Sequence, residues 1–235
     1  MPVRRIFLLS PASCGGERAR LVFREQASFD IAQRVRRPEG APLGDVFSFL
    51  SGLYFRGKLT YARAFAAPPA GLPGVLVITT NRGLVLPEEC VTLACLKSFG
   101  RVPIDAAEPR YRRPLVRDAH ALALRIGGDC EVVLLGSIAT GKYVDILGET
   151  FGDRLRFPGD FVGRGDMSRG GLLLRSAREG TELSYRPVSG EARKGKRPPK
   201  LVPLRRSANG SGQTSETPQR PETRETGDPS GPILE

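Results

Sequence analysis

Apolar residues in this chain come in short unbroken runs separated by glycine, proline and small polar residues. Arg5 to Ser10, Val75 to Ile78 and Glu131 to Leu135 carry the clearest of them. A run of four or five apolar residues without polar alternation reads as a strand covered on both faces, as in a parallel sheet. Between these runs the spacing turns helical. Ala27 to Val35 suits a short helix, and Asp45 caps a second one carrying Val46, Phe47, Phe49 and Leu50, closed by Gly52. In Leu53 to Phe65 aromatics alternate with basic residues, as in a platform that stacks bases and holds phosphates, but the favoured reading is that Leu53, Phe55, Leu59, Ala62 and Phe65 form an inner face, which puts Arg56, Lys58 and Arg63 outside. Glu88 and Glu89 read as the opening of a further helix, Pro109 to Pro114 as a turn, and Leu115 to Ile126 as an amphipathic helix.

Strand, helix, strand, helix, strand, helix is the order of a sheet with helices on both faces. The expected fold class is therefore α/β, a three-layer α/β/α arrangement with a mostly parallel central sheet, spanning residues 1–189. From residue 190 to 235 the composition changes. Basic residues cluster between Arg193 and Arg206, and Ser207 to Glu235 is rich in Ser, Thr, Pro, Gly and Glu with few apolar residues. So little apolar surface cannot offset chain entropy, so the segment is expected to be a disordered tail.

Charge adds a partner class. Lys and Arg number 36 against 25 Asp and Glu, a formal charge of +11 over 235 residues. Such a surplus suits nucleic acid, a nucleotide or another acidic ligand, and equally suits a basic surface with no such partner. The basic stretch of the tail fits a phosphate backbone, and it also fits a solvated linker.

The first residues, Met1 to Cys14, have two arginines, an apolar patch and a cysteine, as a lipoprotein leader would. The patch Ile6 to Leu9 is shorter than the roughly 7–15 residues of a signal core, so it reads as a first strand. No later run approaches the roughly 18 apolar residues needed to span a bilayer. A cytoplasmic protein without a membrane partner is the expectation. Cys14, Cys90, Cys95 and Cys130 show no metal-ligand or redox spacing, and His120 is the one histidine. A zinc centre is therefore not expected.

Candidate chemistry gathers in three places. The small polar residues that follow the runs at Ser10 and Ile78 fall where strands of an open α/β sheet end, which is where ligands collect. They supply Ser13 and Cys14 from the first loop and Asn81 and Arg82 from the second. The third run opens into Gly136-Ser-Ile-Ala-Thr-Gly-Lys142-Tyr143, the glycine and lysine spacing of a phosphate loop. Tyr143 stands where that loop needs a hydroxyl to hold magnesium, so a site for a single phosphate at Lys142, or a plain strand-to-helix turn, is favoured over a nucleoside-triphosphate hydrolase.

Finally, Gly159 to Gly171 interleaves Asp160, Arg164, Asp166 and Arg169 with glycines. A flexible backbone there would bring two carboxylates, able to orient a water, and two guanidiniums, able to clamp phosphate, to one cleft. A salt-bridged turn is the alternative. Asp160 and Asp166 are the candidate catalytic residues. Ser13, Cys14, Asn81, Arg82, Lys142, Arg164 and Arg169 are the candidate ligand-binding ones.

The first strand ending at Ser13-Cys14, the second running into Thr79-Thr-Asn-Arg-Gly-Leu-Val-Leu-Pro-Glu88, and the third with Gly136 and Tyr143 resemble the uracil-DNA-glycosylase-like α/β domains. In particular the pattern is similar to that of uncharacterised bacterial members and of the corresponding domain of archaeosine synthase. The resemblance spans about Arg5 to Leu174, but the lysine usual after the first loop is missing, and no water-activating motif or catalytic histidine loop is recognisable. It implies the fold and a nucleobase or nucleic-acid setting more than glycosylase chemistry. Two functions follow: an α/β protein that binds or acts on a nucleobase, nucleoside, nucleotide or nucleic acid, and a non-catalytic RNA- or DNA-binding protein that uses its basic tail.

Overall fold

The computed structural model of the protein describes residues 3–189, 198, 199 and 201. The expected tail falls outside the described residues, apart from those last three. In chain order the elements are β1 (Arg5–Leu9), α1 (Glu17–Phe23), α2 (Asp30–Arg34), β2 (Ala41–Pro42), α3 (Leu43–Ser51), α4 (Leu53–Phe65), β3 (Val75–Ile78), β4 (Leu84–Val85), β5 (Cys90–Val91), α5 (Leu93–Gly100), α6 (Pro109–Arg125), β6 (Glu131–Leu135), α7 (Gly141–Phe151), β7 (Leu155–Pro158), α8 (Asp166–Glu179) and β8 (Tyr185–Pro187).

Six strands form the main sheet in the order β4-β3-β1-β6-β7-β8. The inner four, β3, β1, β6 and β7, are parallel, while β4 and β8 run antiparallel at the edges. In register, Phe7 pairs with Val75 on one side and Val133 on the other. Alternate residues of each strand feed two cores. Phe7, Leu9, Val77, Val133 and Leu135 face α1, α3, α4 and α8, whereas Ile6, Leu8, Ile78, Val132 and Leu134 face α6 and α7. The three-layer, mostly parallel α/β architecture expected from the apolar runs is the one observed.

Local differences have physical causes. Glu88 and Glu89 precede β5, where they pair with Arg63 and Arg82; the next helix starts at Leu93, with the Thr92 hydroxyl accepting from the Cys95 N–H. Pro109 to Pro114 is not a turn but the start of α6. Pro109 occupies the first turn, where a missing N–H costs nothing, and Pro114 is accommodated inside the helix. Leu155-Arg-Phe-Pro158 forms a fourth parallel strand that its charged second residue disguises, since Arg156 turns to Glu131.

Gly170 and Gly171 lie inside α8 rather than in a flexible turn. A Cβ at Gly57 of α4 would come within 2.7 Å of the Gly170 carbonyl oxygen, so these glycines let two helix backbones touch. Among the described residues no helix is long and apolar enough to cross a membrane.

Candidate functional site

The chain leaves β1 toward the face carrying α1 to α4, and it leaves β6 toward the face carrying α7. Where neighbouring parallel strands send their connections to opposite faces, a crevice opens beyond their carboxyl ends. Here it is a cleft of about 620 Å³, within the span usual for small-ligand sites.

The loop after β1, Ser10 to Gly16, forms one wall, and Ser137, Lys142 and Tyr143 form the next. Gly136 lets them pass closely, because a Cβ there would lie 3.0 Å from that of Ser10. Thr80, at the end of β3, donates its hydroxyl to the Phe99 carbonyl at 2.9 Å and so anchors the wall made by Phe99 and Gly100. Tyr54 from α4 and Asp166, the first residue of α8, complete the lining. The Asp166 side chain is 71% exposed and lies 3.7 Å from the Arg169 guanidinium, which leaves its carboxylate open to a ligand. Its position in the first turn of α8 favours negative charge.

Behind this lining sits Lys58, 1% exposed. Its ammonium donates to the Ser10 carbonyl and, at 2.8 Å, to the Ser10 Oγ. It stacks 4.5 Å from the Tyr54 ring centre and 4.9 Å from that of Phe55. Burial lowers its pKa to about 7; nearby Asp166 opposes that shift and Arg169 adds to it. The inner-face pattern of α4 was expected to leave its cations in solvent. Arg56 and Arg63 do so, but Lys58 lies four residues after Tyr54 and four before Ala62, on the packed face. Polar atoms at the end of β1 make that burial tolerable.

Of the residues expected from sequence, Ser13, Cys14, Lys142 and Asp166 come together in this cleft. Burial pushes the Cys14 thiol up to about 12, which suits a packed side chain and not a nucleophile. Asn81 and Arg82 do not line it. Asn81 donates to Ser98 Oγ at 2.6 Å in a second groove of about 800 Å³, which meets the cleft at Val102 and is walled by Arg101, Arg110, Arg113 and Arg117. Arg82 pairs with Glu89.

Asp160 is exposed, and its carbonyl accepts from Arg164 at 3.0 Å. Arg164 also reaches Ser168 Oγ at 3.3 Å and the Pro199 carbonyl at 3.4 Å. Arg169 is buried, donating from two nitrogens to the Phe161 carbonyl at 3.2 and 3.0 Å and lying over the Phe161 ring, so it holds the chain before α8 in place. His120 is exposed on α6 and absent from the cleft lining.

The glycine and lysine loop lies between a strand and a helix, as phosphate loops do. Yet the Asp145 carboxylate folds so close over Gly141 that a Cβ there would be 1.8 Å away, which sets negative charge where a phosphate would settle. Lys142 lies 5.2 Å from the Tyr143 ring centre, and Tyr143 is buried. Among the described residues no group of three or more His, Cys, Asp or Glu side chains is placed to hold a metal ion.

The sequence does not single out Ser10 or Phe99, it assigns Tyr54 and Lys58 to a helix that packs in the core, and it places Thr80 at the sheet edge without a role. The available signal is a polar residue following an apolar strand, as at Ser10 and Thr80; Tyr54, Lys58 and Phe99 resemble ordinary helix residues. No family model, curated protein or solved structure matches the chain.

Proposed function

We propose that the protein binds a nucleobase-bearing ligand, a free base, nucleoside, nucleotide or unpaired base of a nucleic acid, in the cleft beyond β1 and β6. The observation that carries this reading is the composition of the cleft. Tyr54, Phe99 and Tyr143 give it aromatic walls, while the Asp166 carboxylate and the Lys142 ammonium lie on its lining. A planar heterocycle offers faces to aromatic walls and N–H donors to a carboxylate. The sequence resemblance to uracil-DNA-glycosylase-like domains points the same way, as does the surplus of basic residues. Four free cysteines suit a reducing, cytoplasmic setting.

A second reading is a nucleic-acid-binding protein whose body only carries basic surfaces. The groove with Arg101, Arg110, Arg113 and Arg117 favours it, because its lining has no carboxylate.

Thermal shift against bases, nucleosides, nucleotides and short oligonucleotides separates the two. A ligand that binds only the folded state stabilises it by about 2.7 kcal/mol at a hundred times its Kd. The first reading expects a response to one small ligand that Asp166→Asn reduces at least several-fold. A salt-sensitive response to oligonucleotides alone, unchanged in Asp166→Asn and lost on truncation before Arg193 or in Arg101→Ala/Arg113→Ala, would replace it with the second. No response to any member of the panel would overturn both.

A further inference from the structure

Lys58 and Ser10 form a pair that ligand binding does not require. The Lys58 ammonium is wholly enclosed, has no carboxylate within ion-pair distance among the described residues, and reaches the Ser10 Oγ at 2.8 Å. Ser10 sits on the cleft wall directly beyond the central strand, at the point where connections diverge. A ligand-binding surface gains little from a cation hidden behind a hydroxyl. A serine nucleophile, by contrast, needs a base on its far side, held by a third group. The Ser10 carbonyl is that third group, since it accepts one Lys58 N–H in either protonation state and leaves the nitrogen lone pair of the neutral amine free to face Oγ.

We propose that Ser10 is a nucleophile and Lys58 its general base, a serine–lysine dyad for acyl transfer from a carboxylic ester small enough to enter the cleft. In the first step Ser10 Oγ bonds to the ester carbonyl carbon and its proton passes to Lys58 Nζ. The carbon–alkoxide bond then breaks, and the leaving oxygen takes that proton. Water attacks the resulting serine ester, giving one proton to Lys58 as its O–C bond forms. That proton returns to Ser10 Oγ as the acid departs. Tyr54 brings a second element to the same cleft: it is 6% exposed, and its hydroxyl has no acceptor among the described residues. That O–H is a spare donor for the oxygen on which charge develops.

The environment of Lys58 keeps the base available. Tyr54 and Phe55 flank it from its own helix, Asp166 and Arg169 act on it from α8, and Tyr143 stands beside Ser10 from α7. Burial outweighs Asp166, so a large fraction of the amine is neutral near pH 7. Such a dyad requires an electrophile and no nucleobase, so it stands apart from the proposed ligand.

An alkyl fluorophosphonate tests it on the full chain. Ser10 Oγ would bond to phosphorus, fluoride would leave, and the proton would pass to Lys58. Peptide mapping by mass spectrometry is expected to find the adduct on Ser10, with none there in Ser10→Ala. Lys58→Met is expected to slow labelling by about 100-fold or more. The wild-type rate is expected to rise with pH through a midpoint between about pH 6 and pH 8 as Lys58 loses its proton.

No adduct on Ser10, an equal rate in a folded Lys58→Met, or a wild-type profile without that midpoint would overturn the dyad; the profile decides the matter if Lys58→Met fails to fold. Labelling at Ser10 in a protein that ignores every nucleobase would leave the dyad standing and remove the proposed ligand.

Discussion

Gly57 of α4 and Gly170 of α8 are each other's packing surface. A Cβ on Gly57 would lie 2.7 Å from the Gly170 carbonyl oxygen, and one on Gly170 would lie 2.8 Å from the carbonyl oxygen of Leu53. The contact brings α8, with Asp166 at its start, against the helix that carries Tyr54 and Lys58.

Gly57→Ala and Gly170→Ala should each therefore destabilise the protein by about 1–3 kcal/mol, since the added methyl meets backbone that cannot rotate away. Urea denaturation checks this. Gly148→Ala in α7, with nothing within 4 Å of the new methyl, is the control that should be neutral or slightly stabilising.

Lys58 should leave a signature in stability against pH. Its folded pKa, about 7, lies below its ordinary 10.5, so between those values the unfolded chain binds more protons than the folded one. Stability from this group then rises with pH across that window and is least below it. In denaturant melts from pH 6 to about pH 10 the stability of wild type relative to Lys58→Met should increase with pH. Parallel curves would refute the assignment. Tyr54 and Tyr143, whose pKa values burial raises, work in the opposite sense at higher pH in both proteins.

Thiol reactivity should split the cysteines. Cys14 is buried with its pKa pushed up to about 12, whereas Cys90 is exposed. In native protein at about pH 8, iodoacetamide should modify Cys90 quickly and leave Cys14 unmodified until denaturant is added. Fast modification of native Cys14 would contradict its burial.

Gly83 should resist substitution. Its φ is +69°, and a Cβ would lie 2.6 Å from the Pro114 carbonyl and closer still to the Asp118 carboxylate, which accepts the Leu84 N–H at 2.9 Å. Gly83→Ala should cost at least about 1–3 kcal/mol from the backbone alone, measured as a lower urea midpoint. Gly71→Ala, also at positive φ but with open space around it, should show the conformational cost without the clash.

Much of the fold was legible in the sequence because strands buried on both faces advertise themselves. Arg5 to Leu9, Val75 to Ile78 and Glu131 to Leu135 are the three adjacent strands at the sheet centre. The edge strands Leu84–Val85 and Tyr185–Pro187 are too short to carry a pattern, and Leu155–Pro158 hides behind Arg156. Residues that line the cleft were legible where a polar residue follows a strand, as at Ser13 and Cys14. Asn81 illustrates the limit: it follows β3, but the turn at Gly83 directs it to Ser98 and the neighbouring groove.

The sequence by itself determined the α/β class, the central strands and the position of the first-loop residues, because apolar runs and strand ends are local properties of the chain. Tertiary structure alone decided that Lys58 is buried against Ser10, that Asp166 reaches the cleft while Asp160 does not, and that Gly170 belongs to a helix crossing. Each of those depends on which distant segment supplies the neighbour. A lysine spaced for either face of a helix becomes an outer charge or an inner base only when another strand's end arrives to meet it.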